Sequence, residues 1–266
     1  MTHASRRKRL GQHFLHDPAV IERIVAAIAP DRGAPIVEIG PGRGALTVPL
    51  LERAGTLHVV EIDRALAQSL AARCQAIGDL RLHIGDALRF DFCALAADKL
   101  KVVGNLPYSV STPLLFHLLA QSRCVSEMVF MLQQEVVDRI CAVPGTRDYG
   151  RLSVMVQARC GARELFSVGR GAFSPPPQVG SAVLRMVPSE TFMKTLKDQS
   201  LFDHVVKMAF GQRRKKLRNA LKELGPLPED LLPEIGIDPN ARAEELTVEQ
   251  FGMIANRLAA GGSEKA

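Results

Sequence analysis

Hydrophobic positions along the first two thirds of the chain switch repeatedly between a helical period and a strand period. After Asp17-Pro18, where a proline suits the first position of a helix, apolar residues recur at helical spacing up to Ile28. Short apolar runs follow at residues 36–39, 56–62, 80–84, 101–103 and 128–132, and helical patterns separate them. This alternation predicts an α/β domain with a mostly parallel sheet.

Two further strands are predicted at residues 164–168 and 181–187, on either side of a proline-rich loop. We expect these two strands to form a hairpin-like edge. Together with the five strands before them, they bring the predicted sheet to seven strands.

The pattern changes after Pro188. Helical segments at residues 201–209, 217–224 and 251–258 follow one another with no strand pattern between them, and Thr247 to Gln250 fit a capping box before the last segment. The chain is therefore predicted to divide into an α/β domain of residues 1–188 and a small all-helical domain of residues 189–266.

Composition restricts the classes of protein to consider. Of the 266 residues 47% are hydrophobic, which is enough for a sizeable core. No run of about 18 apolar residues occurs, so we expect no membrane-spanning segment. The basic residues 6–9 are not followed by the apolar core of a signal peptide. We expect a cytoplasmic protein that acts as a monomer.

The cysteines and the charges add two further expectations. Five widely spaced cysteines without a C-x-x-C pair predict buried, reduced thiols, with no disulfide framework and no metal site. The net charge of +6 arises in residues 1–188, which hold 22 basic and 16 acidic residues, while residues 189–266 hold 12 of each sign. Within the neutral part, basic residues still cluster at Arg213, Arg214, Lys215, Lys216, Arg218 and Lys222.

Three signals at successive strand ends predict a nucleoside site. Gly40-Pro41-Gly42-Arg43-Gly44 follows the first strand of the sheet and lets a ligand approach the backbone, and Glu61 at the end of the second strand can hold two ribose hydroxyls. These two features fit NAD and S-adenosylmethionine equally. Asp86, after the third strand, can accept a hydrogen bond from an adenine amino group.

The segment Asn105-Leu106-Pro107-Tyr108 after the fourth strand predicts the reaction centre. An adenine N6 is a poor nucleophile, and two acceptors aimed at its N–H bonds favour the tetrahedral geometry from which it can attack a methyl group. The Asn105 side-chain oxygen and the Leu106 carbonyl can be these acceptors, and Pro107 restricts the backbone of Leu106. Tyr108 and Phe173 offer rings on which an extruded base can stack.

With these residues in view, the chain resembles the ribosomal RNA adenine dimethyltransferases, and among them the bacterial enzymes of the small subunit. The matching stretches cover nearly the whole chain: residues 8–15, 38–42, 61–63, 85–87, 105–108, 149–153, 173–181, 210–219 and 242–247.

The resemblance implies a Rossmann-like methyltransferase fold, S-adenosylmethionine as the cofactor, and small-subunit rRNA in an immature small ribosomal subunit as the partner. It implies dimethylation of the N6 groups of two adjacent adenines near the 3′ end of that RNA. The basic cluster at residues 213–222 is then expected to contact RNA phosphates electrostatically and not to recognise the base sequence.

The resemblance also assigns the cofactor site. It places His13 and Leu15 at the methionine end, although the family usually has asparagine where this chain has His13. An imidazole can also donate or accept a hydrogen bond, and a contact through the backbone would survive the change. The remaining residues expected in the site are Gly40, Gly42, Glu61, Ile62, Asp86, Ala87 and Asn105.

Several alternatives remain open from the sequence. A resistance-type methyltransferase of large-subunit rRNA would share the cofactor site, but residues 213–219 and the Thr247 segment resemble the small-subunit enzymes. A DNA adenine methyltransferase would more typically have aspartate at position 105. A dehydrogenase would leave the segment 105–108 without a role. A non-catalytic assembly or transcription factor could use the same fold. The intact Asn105, Pro107 and Tyr108 argue against lost catalysis, although a dominant binding role in ribosome assembly could coexist with it.

Overall fold

The computed structural model describes residues 13–95, 98–107, 110–212, 215–224 and 230–262 of the chain. It contains two compact units: residues 1–137 with 163–188, and residues 138–162 with 189–266. The second unit thus includes residues 138–162, which the sequence pattern assigns to the first domain. The buried Tyr149 explains the difference, because its hydroxyl donates to the Leu246 carbonyl at 2.9 Å and its ring packs edge-on against Phe210.

A seven-stranded sheet forms the first unit, as predicted. Its strands are Ile36–Ile39 (β2), Thr56–Glu61 (β3), Asp79–Ile84 (β4), Leu100–Asn105 (β5), Val125–Gln133 (β6), Cys160–Val168 (β7) and Ser181–Pro188 (β9), and β7 begins in the second unit. Their order is β4-β3-β2-β5-β6-β9-β7, with parallel pairing from β4 through β6 and antiparallel pairing of β9 with β6. The hairpin-like edge is confirmed, since β9 and β7 are neighbours there.

Two helices of the first unit begin at an aspartate that caps them. The Asp17 carboxylate accepts from the Ala19 and Val20 amides, and Pro18 is the first helical residue; Asp63 caps a later helix in the same way. Leu50, Leu57 and Leu70, from two helices and a strand, share one buried core. The helices are Pro18–Ile28 (α1), Thr47–Ala54 (α2), Arg64–Cys74 (α3), Ser111–Ala120 (α4) and Gln134–Cys141 (α5), which continues into the second unit.

A second, two-stranded sheet was not predicted. Phe14–Leu15 (β1) pairs antiparallel with Phe173–Ser174 (β8), so that Phe14 lies opposite Ser174 and Leu15 opposite Phe173. Strands of two residues are too short to show a period of two in the sequence. This pairing brings the segment before α1 to the proline-rich loop.

The second unit is helical, as predicted for the residues after Pro188. The capping box is confirmed, because the Thr247 amide donates to the Gln250 side chain at 2.9 Å and the Gln250 amide to the Thr247 hydroxyl at 3.3 Å. Phe202 and Phe251 are fully buried in this unit. Its helices are Arg151–Gln157 (α6), Gln199–Gly211 (α7), Leu217–Ala220 (α8), Leu231–Glu234 (α9) and Val248–Gly262 (α10).

The expectation of reduced thiols is wrong for two of the five cysteines. Cys93 and Cys124 form a disulfide across a sequence separation of 31 residues, while Cys74 and Cys160 are buried free thiols and Cys141 is a partly buried one. The two bonded cysteines lie in the 3₁₀ helices Phe92–Ala94 and Ser122–Cys124, which pack together; Gln121 accepts from the Phe92 amide at 2.8 Å. Cysteine spacing carries no information about this long-range contact.

No helix in the described part of the chain combines the length and the hydrophobicity needed to cross a bilayer.

Candidate active site

One pocket opens at the carboxyl ends of β2, β3, β4 and β5, where α/β sheets bind their ligands. It brings together most of the residues expected from the sequence. The predicted residues that line it are His13, Gly40, Gly42, Glu61, Ile62, Asp86, Ala87, Asn105, Leu106, Pro107 and Phe173.

The glycine-rich turn and an unpredicted aromatic ring form one wall. Gly42 has a φ of +54°, and a Cβ there would lie 3.3 Å from the ring of Phe14. Phe14 itself lines the pocket, and the Arg43 guanidinium lies over its ring, 4.4 Å from the centroid. Phe14 was missed because its position depends on the β1–β8 pairing.

Glu61 is buried in the pocket wall at the end of β3. Its Oε1 accepts from the Asp63 amide at 2.9 Å and its Oε2 from the Gly42 amide at 3.3 Å. Burial raises the pKa of this carboxyl, and the amide donors from Asp63 and Gly42 oppose that rise. The backbone therefore holds the carboxylate in one orientation, in which it can accept from a pair of hydroxyl groups.

Asp86 combines a turn role with exposure to the pocket. Its Oδ1 accepts from the Leu88 amide at 2.9 Å, which closes the turn after β4. The carboxylate can still accept from an amino group in the pocket through its second oxygen. Apolar side chains surround this end of the pocket and suit a flat aromatic ring: Ile62, Ala87, Leu88, Val110 and Leu114.

Asn105 and Leu106 are held in place by the backbone of neighbouring segments. The Asn105 Nδ2 donates to the His13 carbonyl at 3.2 Å, so the side-chain oxygen is the atom left to accept from a ligand. The Leu106 amide donates to the Met131 carbonyl of β6 at 3.2 Å, and Pro107 follows it. Leu106 is therefore fixed on both sides, and so is the direction of its carbonyl.

Of the two predicted stacking rings, the structure describes only Phe173. Phe173 lies in β8 and lines the pocket, although only 3% of its surface is exposed. Tyr108 lies outside the described residues, so its stacking role stays a prediction.

His13 and Leu15 occupy different surroundings. The His13 carbonyl accepts from Asn105, and its ring Nδ1 lies 2.8 Å from the Pro175 carbonyl. The Leu15 side chain is buried in the hydrophobic core and is not among the residues that line the pocket. A contact of Leu15 with a ligand stays a prediction.

Glu38 lies beneath the glycine-rich turn and was not predicted as a site residue. It is fully buried in β2, and its Oε2 accepts from the Thr47 hydroxyl of α2 at 2.6 Å. Burial raises the pKa of Glu38 to about 7, against the Thr47 hydrogen bond that lowers it. Since β2 and α2 flank the turn, this hydrogen bond ties together the two ends of residues 40–46.

The predicted RNA-binding residues lie in the second unit, as far as they are described. Lys215, Lys216, Arg218 and Lys222 are exposed, and Lys216 Nζ donates to the Asn240 side chain at 3.0 Å. Arg213 and Arg214 lie outside the described residues. Within the residues that the structure describes, no group of three or more His, Cys, Asp or Glu side chains could hold a metal ion.

The chain is similar to known proteins over nearly its whole length. A family model described as Ribosomal RNA adenine dimethylase matches residues 3–260. A ribosomal RNA small subunit methyltransferase A from Aromatoleum aromaticum is 54% identical over 254 residues, which cover 96% of this chain and 94% of that protein.

Two solved structures share the fold. A dimethyladenosine transferase from Plasmodium falciparum is 25% identical with a TM-score of 0.82, over 94% of this chain and 98% of that chain. The 23S rRNA methyltransferase ErmE is 23% identical with a TM-score of 0.70, over 92% of this chain and 99% of that chain. The Rossmann-like methyltransferase fold is thereby confirmed.

Proposed function

This chain belongs to the ribosomal RNA adenine dimethylase family, and we propose that it dimethylates N6 of two adjacent adenines near the 3′ end of small-subunit rRNA. In this proposal the enzyme acts as a cytoplasmic monomer on the immature small ribosomal subunit. The 54% identity to a small subunit methyltransferase supports this substrate over that of the large-subunit enzyme at 23% identity.

The protein is an rRNA methyltransferase with S-adenosylmethionine as its cofactor. When bound, S-adenosylmethionine supplies a methyl group activated by its sulfonium. The pocket residues fit this molecule. Glu61 would hold the ribose hydroxyls, Asp86 the adenine amino group, and the backbone of the Gly40–Gly42 turn with His13 the methionine end.

The orientation of the Asn105 amide is the observation that carries the proposal. With Nδ2 donating to the His13 carbonyl, the Asn105 oxygen can accept one N–H of the target adenine, and the Leu106 carbonyl can accept the other. These acceptors stabilise N6 as it becomes tetrahedral, and no strong general base is needed, because the amino group becomes acidic as it is alkylated. Phe173 offers a surface against which the extruded base can stack.

The proposal is tested by methylation of unmodified small subunits with labelled S-adenosylmethionine, followed by mapping of the modified nucleosides. We expect label in two adjacent N6,N6-dimethyladenosines of the small-subunit rRNA. Label in large-subunit rRNA alone, or no transfer to any adenine, would contradict the proposal.

Asn105→Ala tests the reaction centre. We expect kcat to fall by roughly 100-fold to 1000-fold, since one acceptor for the reacting amino group is lost. Circular dichroism should show that the variant keeps its fold, so that the loss is one of turnover and not of structure. Asn256→Ala, which makes the same change at a residue hydrogen-bonded within the second unit, is the matched control and should keep its turnover. Near-normal turnover of Asn105→Ala would rule out this mechanism.

A further inference from the structure

The loop that follows Phe173 depends on donors from other segments. Prolines occupy positions 175, 176 and 177, and proline has no N–H, so these residues offer carbonyl acceptors and no backbone donors. Two side chains supply donors. The His13 Nδ1 lies 2.8 Å from the Pro175 carbonyl, and the Arg170 Nε donates to the Pro177 carbonyl at 2.7 Å.

His13 contacts both the loop and the reaction centre. Its own carbonyl accepts from the Asn105 side chain, while its ring reaches Pro175. The pairing of β1 with β8 continues this contact, and the His16 amide donates to the Ala172 carbonyl at 2.9 Å. One residue therefore joins the group that accepts from the adenine to the loop that carries the stacking ring.

The partner of the ring determines its tautomer. A proline carbonyl only accepts hydrogen bonds, so His13 Nδ1 must carry the proton that is donated to Pro175. Nδ1 is bonded directly to Cγ, as is the amide nitrogen of an asparagine side chain. An asparagine at position 13 can therefore place a donor at the same number of bonds from the backbone.

We propose that the side chain of His13 is a positioning residue, which holds the Pro175 carbonyl and thereby fixes Phe173 relative to Asn105. Arg170 assists His13, because it donates to the Pro177 carbonyl at the other end of the proline loop. The inference rests on the proposed function, because it assumes that Phe173 stacks on the target base. In this inference the imidazole ring of His13 helps to position the target base, whereas the cofactor contacts only the backbone of His13.

The test compares His13→Leu, which lacks a donor, with His13→Asn, which keeps one, in the full chain acting on unmodified small subunits. We expect kcat of His13→Leu to fall by roughly 10-fold to 100-fold, because a misplacement of about 1 Å has effects of this size. The KM for S-adenosylmethionine should change by less than about twofold. His13→Asn should recover most of the lost rate.

Arg170→Met provides an independent arm on the opposite end of the loop. It should lower kcat while the KM for S-adenosylmethionine stays unchanged, and it decides the matter if His13→Leu does not fold. A second readout is the ratio of N6-methyladenosine to N6,N6-dimethyladenosine, which should rise in both donor-lacking variants, because the second transfer must place a bulkier amino group.

Three results would overturn the inference: wild-type kcat in the donor-lacking variants, an increase in the KM for S-adenosylmethionine at unchanged kcat, or a His13→Asn rate as low as that of His13→Leu. Failure of the proposed function is a separate result. It would appear as the absence of dimethyladenosine from the wild-type reaction.

Discussion

At the scale of single residues, Glu38 is an ionisable side chain in a buried position, where its charged form is unfavourable. It lies fully buried next to the Thr47 hydroxyl, with the buried Glu61 carboxyl as a further negative neighbour, and burial raises its pKa to about 7. Its protonated form is therefore favoured in the folded state. Below the unfolded-state pKa of 4.5 this residue carries no penalty, and the penalty grows as the pH rises to about 7.

Glu38→Gln should reveal this penalty as a pH-dependent difference in stability. Glutamine keeps an acceptor for Thr47 and does not titrate. We expect the wild type to lose roughly 2 to 3 kcal/mol of unfolding free energy relative to the variant as the pH rises from 5 to 8, measured by urea denaturation. Glu61→Gln, measured in the same way, shows how much of the pH dependence comes from the second buried carboxyl. A Glu38→Gln difference that is constant over this range would contradict the raised pKa.

At the scale of elements, the sheet edge formed by β3 and β4 carries a histidine pair. The His58 Nδ1 and the His83 Nε2 lie 2.9 Å apart, and the two rings stack with an angle of 4° between their planes. Burial lowers the pKa of both rings, and the nearby charges of His83 and Arg81 add to the effect on His58. The fold therefore favours the neutral pair.

His83→Gln should reduce the acid sensitivity of this edge. Because the folded pKa values are lowered, the pair contributes its full stability above the unfolded value of 6.5 and loses it as the pH falls below. We expect the melting temperature of the wild type to fall relative to that of His83→Gln between pH 7.5 and pH 5.5. Parallel melting curves over this range would show that the pair does not affect stability.

The elements also show what sequence patterns can and cannot predict. Buried strands such as β2 and β6 are dominated by apolar residues, and the candidate site residues of the sheet follow its strands at fixed positions, so both were predictable. The strand β1 and the residue Phe14 were not, because they depend on a partner, β8, far along the chain. The same reason applies to the Cys93–Cys124 disulfide and to the placement of residues 138–162 in the second unit.

At the scale of the whole molecule, the pocket and the basic cluster belong to different units. The pocket is built from first-unit residues alone, while the described basic residues 215–222 lie in the second unit. The net charge of +6 attracts a polyanion in general, and the clustered lysines and arginines offer local contacts to phosphates. Binding of RNA and binding of cofactor should therefore respond to different substitutions.

Lys215→Glu with Lys216→Glu tests this division of labour. We expect rRNA affinity to fall by roughly tenfold or more, and the slope of log affinity against log salt to flatten by about 2, since two phosphate contacts are lost. Cofactor affinity should stay unchanged. Lys197→Glu with Lys207→Glu makes the same charge change at exposed lysines elsewhere in the second unit and should weaken binding less. An equal loss of cofactor affinity would contradict the division.

The contacts around His13 also order events during synthesis of the chain. The hydrogen bond from Asn105 to the His13 carbonyl joins residues 92 positions apart, and the contact of the His13 ring with Pro175 spans 162 positions. The ribosome synthesises the chain from its amino end. The strand β1 therefore cannot pair until most of the protein, including its partner strand β8, has been synthesised. The pocket is therefore completed late in translation, and a shortened product ending before residue 173 would lack one wall of it.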